Sequence, residues 1–256
     1  MFSLQSRTVA ITGAGGGIGQ RLVARFVEAG AVVIAFDRTR ERIEGLPGIA
    51  HAGAFEMGDR EGAEAAIATA VEAVGPIRVL VNNAGGASAE TLTDLTPEGW
   101  DQDIALNLTG AYQVTTPILA GMREQGGGAI VTIGTVNALM HFGNPAYAAA
   151  KAGLVAYTKA IALEQGRFGI RANIVCPGSV RTPAWNRRIE KDPTIVERLS
   201  RHYPIGRMVE PDEVAAAVLF LASDLASGIS GAVLPVDGGL MAGMKAMTEV
   251  ITSETF

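Results

Sequence analysis

Short apolar runs without alternation recur along the chain, each followed by a stretch with helical spacing. Thr8–Thr12 (TVAIT) is the first such run. It predicts a strand covered on both faces, where every position is apolar rather than every second one. Residues 18–29 follow, with Ile18, Leu22, Val23, Phe26 and Val27 on one helical stripe, ended by Gly30. The second run, 31–36 (AVVIAF), predicts another covered strand, and 38–44 a short helix. Residues 49–56 predict a weaker strand, and Asp59 is placed to cap an Ala-rich helix over 61–74. Strands are expected at 77–81, 129–133, 170–175 and 232–236, and helices at 97–124, 147–165 and Pro211–Ala222. Gly110 and Pro117 fall inside the long 97–124 helix, and 183–207 reads as charged and irregular.

Strands alternating with helices need crossover connections, so the sheet is expected to be parallel, with helices on both faces. Nothing in 256 residues reads as a linker or an internal repeat, so one α/β domain over 1–256 is expected. Ligands of such sheets bind beyond the carboxyl ends of the strands, where the strand order reverses.

Composition narrows the function classes. The net charge is −5, which argues against a nucleic-acid binder. No apolar run approaches the roughly 20 residues of a membrane span. One cysteine, Cys176, forms no internal disulfide and reads as a small buried apolar side chain in a reducing compartment. A strand starting at Thr8 leaves no room for a signal peptide, so the expected location is cytoplasmic. The three histidines have no carboxylate or cysteine at metal-ligand spacing, and no metal site is expected.

Chemistry is concentrated where glycines meet strand ends. Between the first strand and first helix runs Thr12-Gly13-Ala14-Gly15-Gly16-Gly17-Ile18-Gly19. Small residues there let backbone approach a pyrophosphate, and the helix N-terminus supplies N–H groups and a favourable dipole. The G-x-G-x-x-G spacing is absent; Gly13, Gly17 and Gly19 form Gly-x-x-x-Gly-x-Gly instead. A merely flexible glycine loop is the other reading. Asp37, directly after the second strand, is placed to accept from adenosine ribose hydroxyls and to repel a 2′-phosphate, which favours NAD over NADP. Arg38 argues the other way, since a guanidinium clamps phosphate. Asp37 also suits a cap for 38–44, and the two roles can coexist.

These motifs resemble those of the short-chain dehydrogenase/reductase family. Thr12-Gly13-x-x-x-Gly17-Ile18-Gly19 is similar to its first motif, Asn82-Asn83-Ala84-Gly85 to its second, Asn107 to its helix asparagine, and Tyr147-Ala-Ala-Ala-Lys151 to its Tyr-x-x-x-Lys motif. Pro177-Gly178 with Thr182 resembles its nicotinamide-side loop, and Val236-Asp-Gly-Gly239 its last strand. The resemblance spans about residues 4–240. It implies a single Rossmann-like doubly wound domain with a seven-stranded parallel sheet. It also implies a nicotinamide-dependent oxidoreductase and a homo-oligomer, commonly a tetramer, built on the two long helices and last strand.

The resemblance assigns Asn107, Thr135, Tyr147 and Lys151 to catalysis. Tyr147 and Lys151 lie one helical turn apart, so their side chains share a face. A nearby ammonium favours the phenolate and is expected to lower the phenol's pKa, making Tyr147 the acid or base. Thr135 stands where the family usually has serine, and keeps the hydroxyl that orients the substrate oxygen. Asn107 would anchor a water leading from Lys151, or simply bond to backbone. Cofactor contacts are expected from Gly13, Gly16, Gly17, Ile18, Gly19, Asp37, Arg38, Glu56, Met57, Asn83, Ala84, Gly85, Tyr147, Lys151, Pro177, Gly178, Val180 and Thr182.

For the substrate, the resemblance points to Thr135, Asn137, His141, Asn144, Tyr147, Trp185 and Arg188. The segment 183–207 would be the substrate loop, and the tail 241–256 would pack on a neighbour or cover the pocket. So polar a set suggests a sugar, polyol or hydroxy acid. The alternatives are a 3-oxoacyl-thioester reductase, which would be expected to use NADPH, and a non-catalytic dinucleotide-binding protein.

Overall fold

In the computed structural model, which describes residues 4–255, seven strands form one parallel sheet in the order β3-β2-β1-β4-β5-β6-β7. The strands are β1 (Thr8–Thr12), β2 (Val32–Asp37), β3 (Ile49–Ala54), β4 (Val79–Asn82), β5 (Gly128–Ile133), β6 (Ile170–Pro177) and β7 (Val233–Val236). All six pairings are parallel. The chain therefore adopts the expected Rossmann-like fold of a single domain.

The apolar runs lack alternation because both sheet faces are covered. Val9, Ile11, Val33, Ala35, Val79, Val81, Val131 and Ile133 pack with Leu22, Val23 and Phe26 of α1 (Gly17–Glu28) and with Val214, Val218 and Leu221 of the later helix Pro211–Ala222. The residues between them, Ala10, Ile34, Phe36, Leu80 and Ile130, point to the other face. There they meet Ile67 and Ala70 of α2 (Arg60–Val74) and Ile118 and Met122 further along the chain. Each strand thus needs apolar side chains at consecutive positions. Asp59 caps α2, accepting from the Gly62 amide at 3.0 Å.

The expected helix over 97–124 is contiguous but not uniform. α3 (Pro97–Ile104), capped by Thr96, passes through a π turn at Ala105–Thr109 into α4 (Gly110–Glu124). The extra residue of a π turn rotates the helix and re-aims side chains, here Asn107. Gly110 allows close approach, since a Cβ on it would lie 2.9 Å from Met57 Cβ. The short helix expected over 38–44 is reduced to a 3₁₀ turn at Arg40–Arg42.

α5 (Pro145–Gln165) starts two residues earlier than expected, because Asn144 takes a left-handed conformation and Pro145 opens the helix. The charged 183–207 segment contains α6 (Asn186–Lys191) and α7 (Ile195–Ser200), followed by α8 (Pro211–Ala222). The tail carries α9 (Lys245–Thr252), with Met247, Val250 and Ile251 exposed. Among the described residues, no helix is long and apolar enough to cross a membrane.

Candidate active site

The strand order reverses between β1 and β4, and the chain stitches their ends together. Thr12 Oγ1 accepts from the Asn83 and Ala84 amides, both at 3.0 Å. Asn83 Nδ2 donates to the Thr12 and Gly13 carbonyls at 2.9 and 3.0 Å. Gly13 is left-handed (φ 64°), and a Cβ on it would lie 2.8 Å from Ala84 Cα. Gly16 then caps α1 in extended geometry, which leaves the first-turn N–H groups without intrahelical acceptors. Gly19 closes the turn: a Cβ there would meet the Gly13 carbonyl oxygen at 2.2 Å. Gly19→Ala is therefore expected to destabilise the fold by about 2–3 kcal/mol, since backbone must move to admit the methyl. Thermal unfolding checks this, and an unchanged Tm would contradict the packing described.

Beyond this turn opens a groove of about 540 Å³. Gly13, Gly16, Gly17, Ile18 and Gly19 line it together with Asp37, Arg38, Glu56, Met57, Asn83, Ala84, Gly85 and Thr182. Thr182 packs directly on the turn, as a Cβ on Gly17 would sit 2.8 Å from Thr182 Cβ. Gln102, Ala105, Leu106 and Arg42 line it too and were not expected from the sequence. For Arg42 the signal was a base five residues after the acid that ends β2; it ion-pairs with Asp37 at 2.7 Å. Pro177, Gly178, Val180, Tyr147 and Lys151 are not in the groove lining. Pro177 ends β6, Gly178 packs on the buried Tyr203 ring, and Val180 bridges to Val209.

The groove adjoins a second cluster through Gly85. A Cβ on Gly85 would lie 2.8 Å from Asn107 Oδ1 and 3.1 Å from Lys151 Nζ. Lys151 is 2% exposed and Asn107 1%. Lys151 Nζ donates to the Ile133 carbonyl at 2.8 Å and lies 5.7 Å from the Tyr147 ring centre. The Tyr147 phenol shares a hydrogen bond with the Thr135 hydroxyl, which also accepts from the Asn137 amide at 3.1 Å. The four residues named for catalysis thus meet where β5 and the π turn face the start of α5.

Burial governs the electrostatics here. It pushes the half-buried Tyr147 phenol up to about 12, against the opposing pull of the Thr135 hydrogen bond. Lys151 is pushed down to about 8 by the same loss of solvent. The expected acidification of the phenol by the ammonium is therefore not what this arrangement produces: loss of solvent raises the phenol instead. The Cys176 thiol is also buried and is pushed up to about 11, so it stays protonated as an apolar side chain beside Ile174 and Leu154.

Asn107 spends its amide on protein. Nδ2 donates to the Gly86 and Asp103 carbonyls at 2.8 Å each, and Oδ1 accepts from the Gly86 amide at 3.1 Å. It clamps the loop after β4. Asn137 similarly holds its own loop, donating to the Gly143 carbonyl and accepting from the Phe142 amide, both at 2.6 Å. Asn144 donates to the Ala89 carbonyl at 2.8 Å. His141 is exposed on the same loop, beside exposed Leu139, Met140 and Phe142. Arg188 lies 5.2 Å from the Trp185 ring centre and pairs with Glu90 at 2.7 Å, linking α6 to the loop after β4. Of the seven residues expected around the substrate, Asn137 and Asn144 therefore spend their side-chain amides on loop backbone.

Known proteins share this architecture. A family model described as enoyl-(acyl carrier protein) reductase matches residues 13–241. A crystal structure of a short-chain dehydrogenase/reductase-family oxidoreductase from Burkholderia thailandensis superposes with a TM-score of 0.93 at 46% identity, covering 98% of this chain and 99% of that one. The 3-oxoacyl-[acyl-carrier-protein] reductase of Thermotoga maritima is 38% identical over 93% of this chain and 99% of its own length. The L-rhamnose 1-dehydrogenase (NAD(P)(+)) of Azotobacter vinelandii is 36% identical over 94% and 99%. With its seven-stranded parallel sheet, its glycine turn and a tyrosine and lysine one turn apart beyond β5, the chain belongs to the short-chain dehydrogenase/reductase family of oxidoreductases.

Proposed function

We propose that this enzyme interconverts a secondary alcohol and a ketone, with NAD as the favoured cofactor and a small polar alcohol as substrate. One observation carries the reading: Lys151, which meets a dinucleotide-sized groove through Gly85, lies beside the Tyr147 ring one helical turn away, and the Tyr147 phenol is hydrogen-bonded to Thr135. The residues present fit the cofactor. The glycine turn and the open end of α1 suit a pyrophosphate, and Asp37 on β2 suits the adenosine ribose. When bound, nicotinamide supplies or accepts the hydride.

The protein's own part is proton transfer and positioning. Thr135 orients the substrate oxygen by hydrogen bonding. At neutral pH the phenol is protonated, so Tyr147 donates to the oxygen of a ketone being reduced. The phenolate left by that donation is stabilised by the Lys151 ammonium, and in the reverse direction it is this phenolate that takes the alcohol proton, returning to the phenol. Reduction is accordingly expected to be flat in pH up to about 8 and to fall above it, as Lys151 loses its charge. Initial rates at saturating substrate measure this; a plateau persisting to pH 10 would contradict the role of Lys151. Asn107 supports the site by holding Gly86, with the π turn aiming its amide.

The relative acting on L-rhamnose supports a sugar, polyol or hydroxy acid. A second reading, 3-oxoacyl-thioester reduction, is favoured by Leu139, Met140 and Phe142, which are over 40% exposed between Thr135 and Tyr147 and offer an apolar surface to an acyl chain. It has a relative of that activity as well. A panel of sugars, polyols, hydroxy acids and 3-oxoacyl thioesters, assayed with both nicotinamide cofactors, separates the two. Turnover confined to thioesters rejects the polar-alcohol reading, and turnover of none with intact cofactor binding leaves a non-catalytic dinucleotide protein.

A further inference from the structure

Asp37 is held from three sides. Its Oδ1 accepts from the Arg38 amide at 2.9 Å and from Arg42 Nε at 2.7 Å, and its Oδ2 accepts from the Gly15 amide at 2.9 Å. A carboxylate offers about four acceptor directions, so roughly one is left for a ribose hydroxyl. Arg42 is itself locked to the glycine turn. A Cβ on Gly15 would lie 2.6 Å from the Arg42 carbonyl oxygen and 2.8 Å from Arg42 Cβ. Its side chain is 40% exposed and lines the groove beside Arg38, whereas the Asp37 side chain is only 6% exposed.

This arrangement changes what the groove presents at the end of β2. An unpaired aspartate there would repel a 2′-phosphate. With a guanidinium on one of its own oxygens, the local charge is close to neutral. The more exposed partner of the pair is then the cation, with planar N–H donors suited to phosphate. We propose that Arg42 is a cofactor-selecting residue, which through its ion pair with Asp37 lets this site accept the 2′-phosphate of NADP alongside NAD. The proposal rests on the dinucleotide reading above and goes beyond it: the acid after β2 favours NAD, and Arg42 sets how strongly NADP is excluded.

The test is a fluorescence titration of the full chain with NADH and NADPH, without substrate. The wild type is expected to bind both, NADPH within about tenfold of NADH. Arg42→Gln is expected to weaken NADPH by about tenfold and NADH by less than threefold. Asp37→Asn is expected to strengthen NADPH in the wild-type background and to lose that gain when combined with Arg42→Gln. Equal loss of both nucleotides on Arg42→Gln would mean that Arg42 only holds the turn, and no change would mean no role; either overturns the proposal. If Arg42→Gln does not fold, the salt dependence of the wild type decides. NADPH binding should weaken relative to NADH as ionic strength rises, and a ratio flat in salt overturns the proposal. Failure of the wild type to bind NADH would instead remove the dinucleotide reading itself.

Discussion

Replacing Tyr147 with phenylalanine is expected to lower kcat by about 10³-fold, within the range that a positioned general acid or base contributes, while NADH binding changes by less than twofold. The substitution is close to isosteric. It removes the phenolic hydroxyl and its hydrogen bond to Thr135, and leaves the ring beside Lys151 Nζ in place. Stability should fall by about 1 kcal/mol at most, the net worth of one hydrogen bond. Steady-state kinetics paired with a nucleotide titration separates chemistry from binding. A variant that keeps a tenth of wild-type turnover would show that the proton travels by another route.

Lys151→Met is expected to abolish turnover and yet to stabilise the protein. Lys151 is 2% exposed and its ammonium is pushed from the usual lysine range down to about 8. A tenfold change in proton affinity between the unfolded and folded chain corresponds to about 1.4 kcal/mol, so holding that charge inside costs roughly 3 kcal/mol at neutral pH. Methionine has similar reach and no charge, and loses only the hydrogen bond to the Ile133 carbonyl, worth about 1 kcal/mol. The net gain is about 2 kcal/mol, seen as a higher Tm. Its pH dependence follows from the lowered pKa. Below about pH 8 lysine is protonated in both folded and unfolded states, and the burial cost is full. Between there and the unfolded pKa of about 10.4, the unfolded chain holds a proton that the folded chain has lost, so wild-type stability rises with pH. The advantage of methionine should shrink across that window and above it give way to a deficit of about 1 kcal/mol, the lost hydrogen bond to Ile133. A Tm lowered at pH 7 would mean that the ammonium is favourably solvated in the fold, and would remove the reason for its depressed pKa.

Much of the frame was legible because the physics that builds it is local. Strands covered on both faces need consecutive apolar residues, and 9–11, 31–36 and 129–131 carry them. The glycine turn was legible for a similar reason, since the backbone contact of Gly13 with Ala84 excludes larger side chains. What escaped depends on neighbours distant in sequence or on depth of burial. The π turn at Ala105–Thr109 leaves the apolar pattern of a continuous helix almost unchanged. Asn144 looked available for substrate, but its partner is the Ala89 carbonyl, 55 residues away. Arg42 fell within the short helix expected over 38–44, and the 3₁₀ turn there brings it back onto Asp37. Helical spacing placed Tyr147 beside Lys151, but spacing carries no information on desolvation, which decides the direction of both pKa values.

The central claim is that the Tyr147 hydroxyl stands at the reacting end of the dinucleotide groove. A crystal structure with bound NADH tests it most directly. The account predicts pyrophosphate on the Gly16–Gly19 backbone, adenosine ribose at Asp37, and nicotinamide beyond Gly85 beside Thr135 and Tyr147. A nicotinamide ring directed away from Tyr147, or a nucleotide bound outside the crevice between β1 and β4, would contradict it.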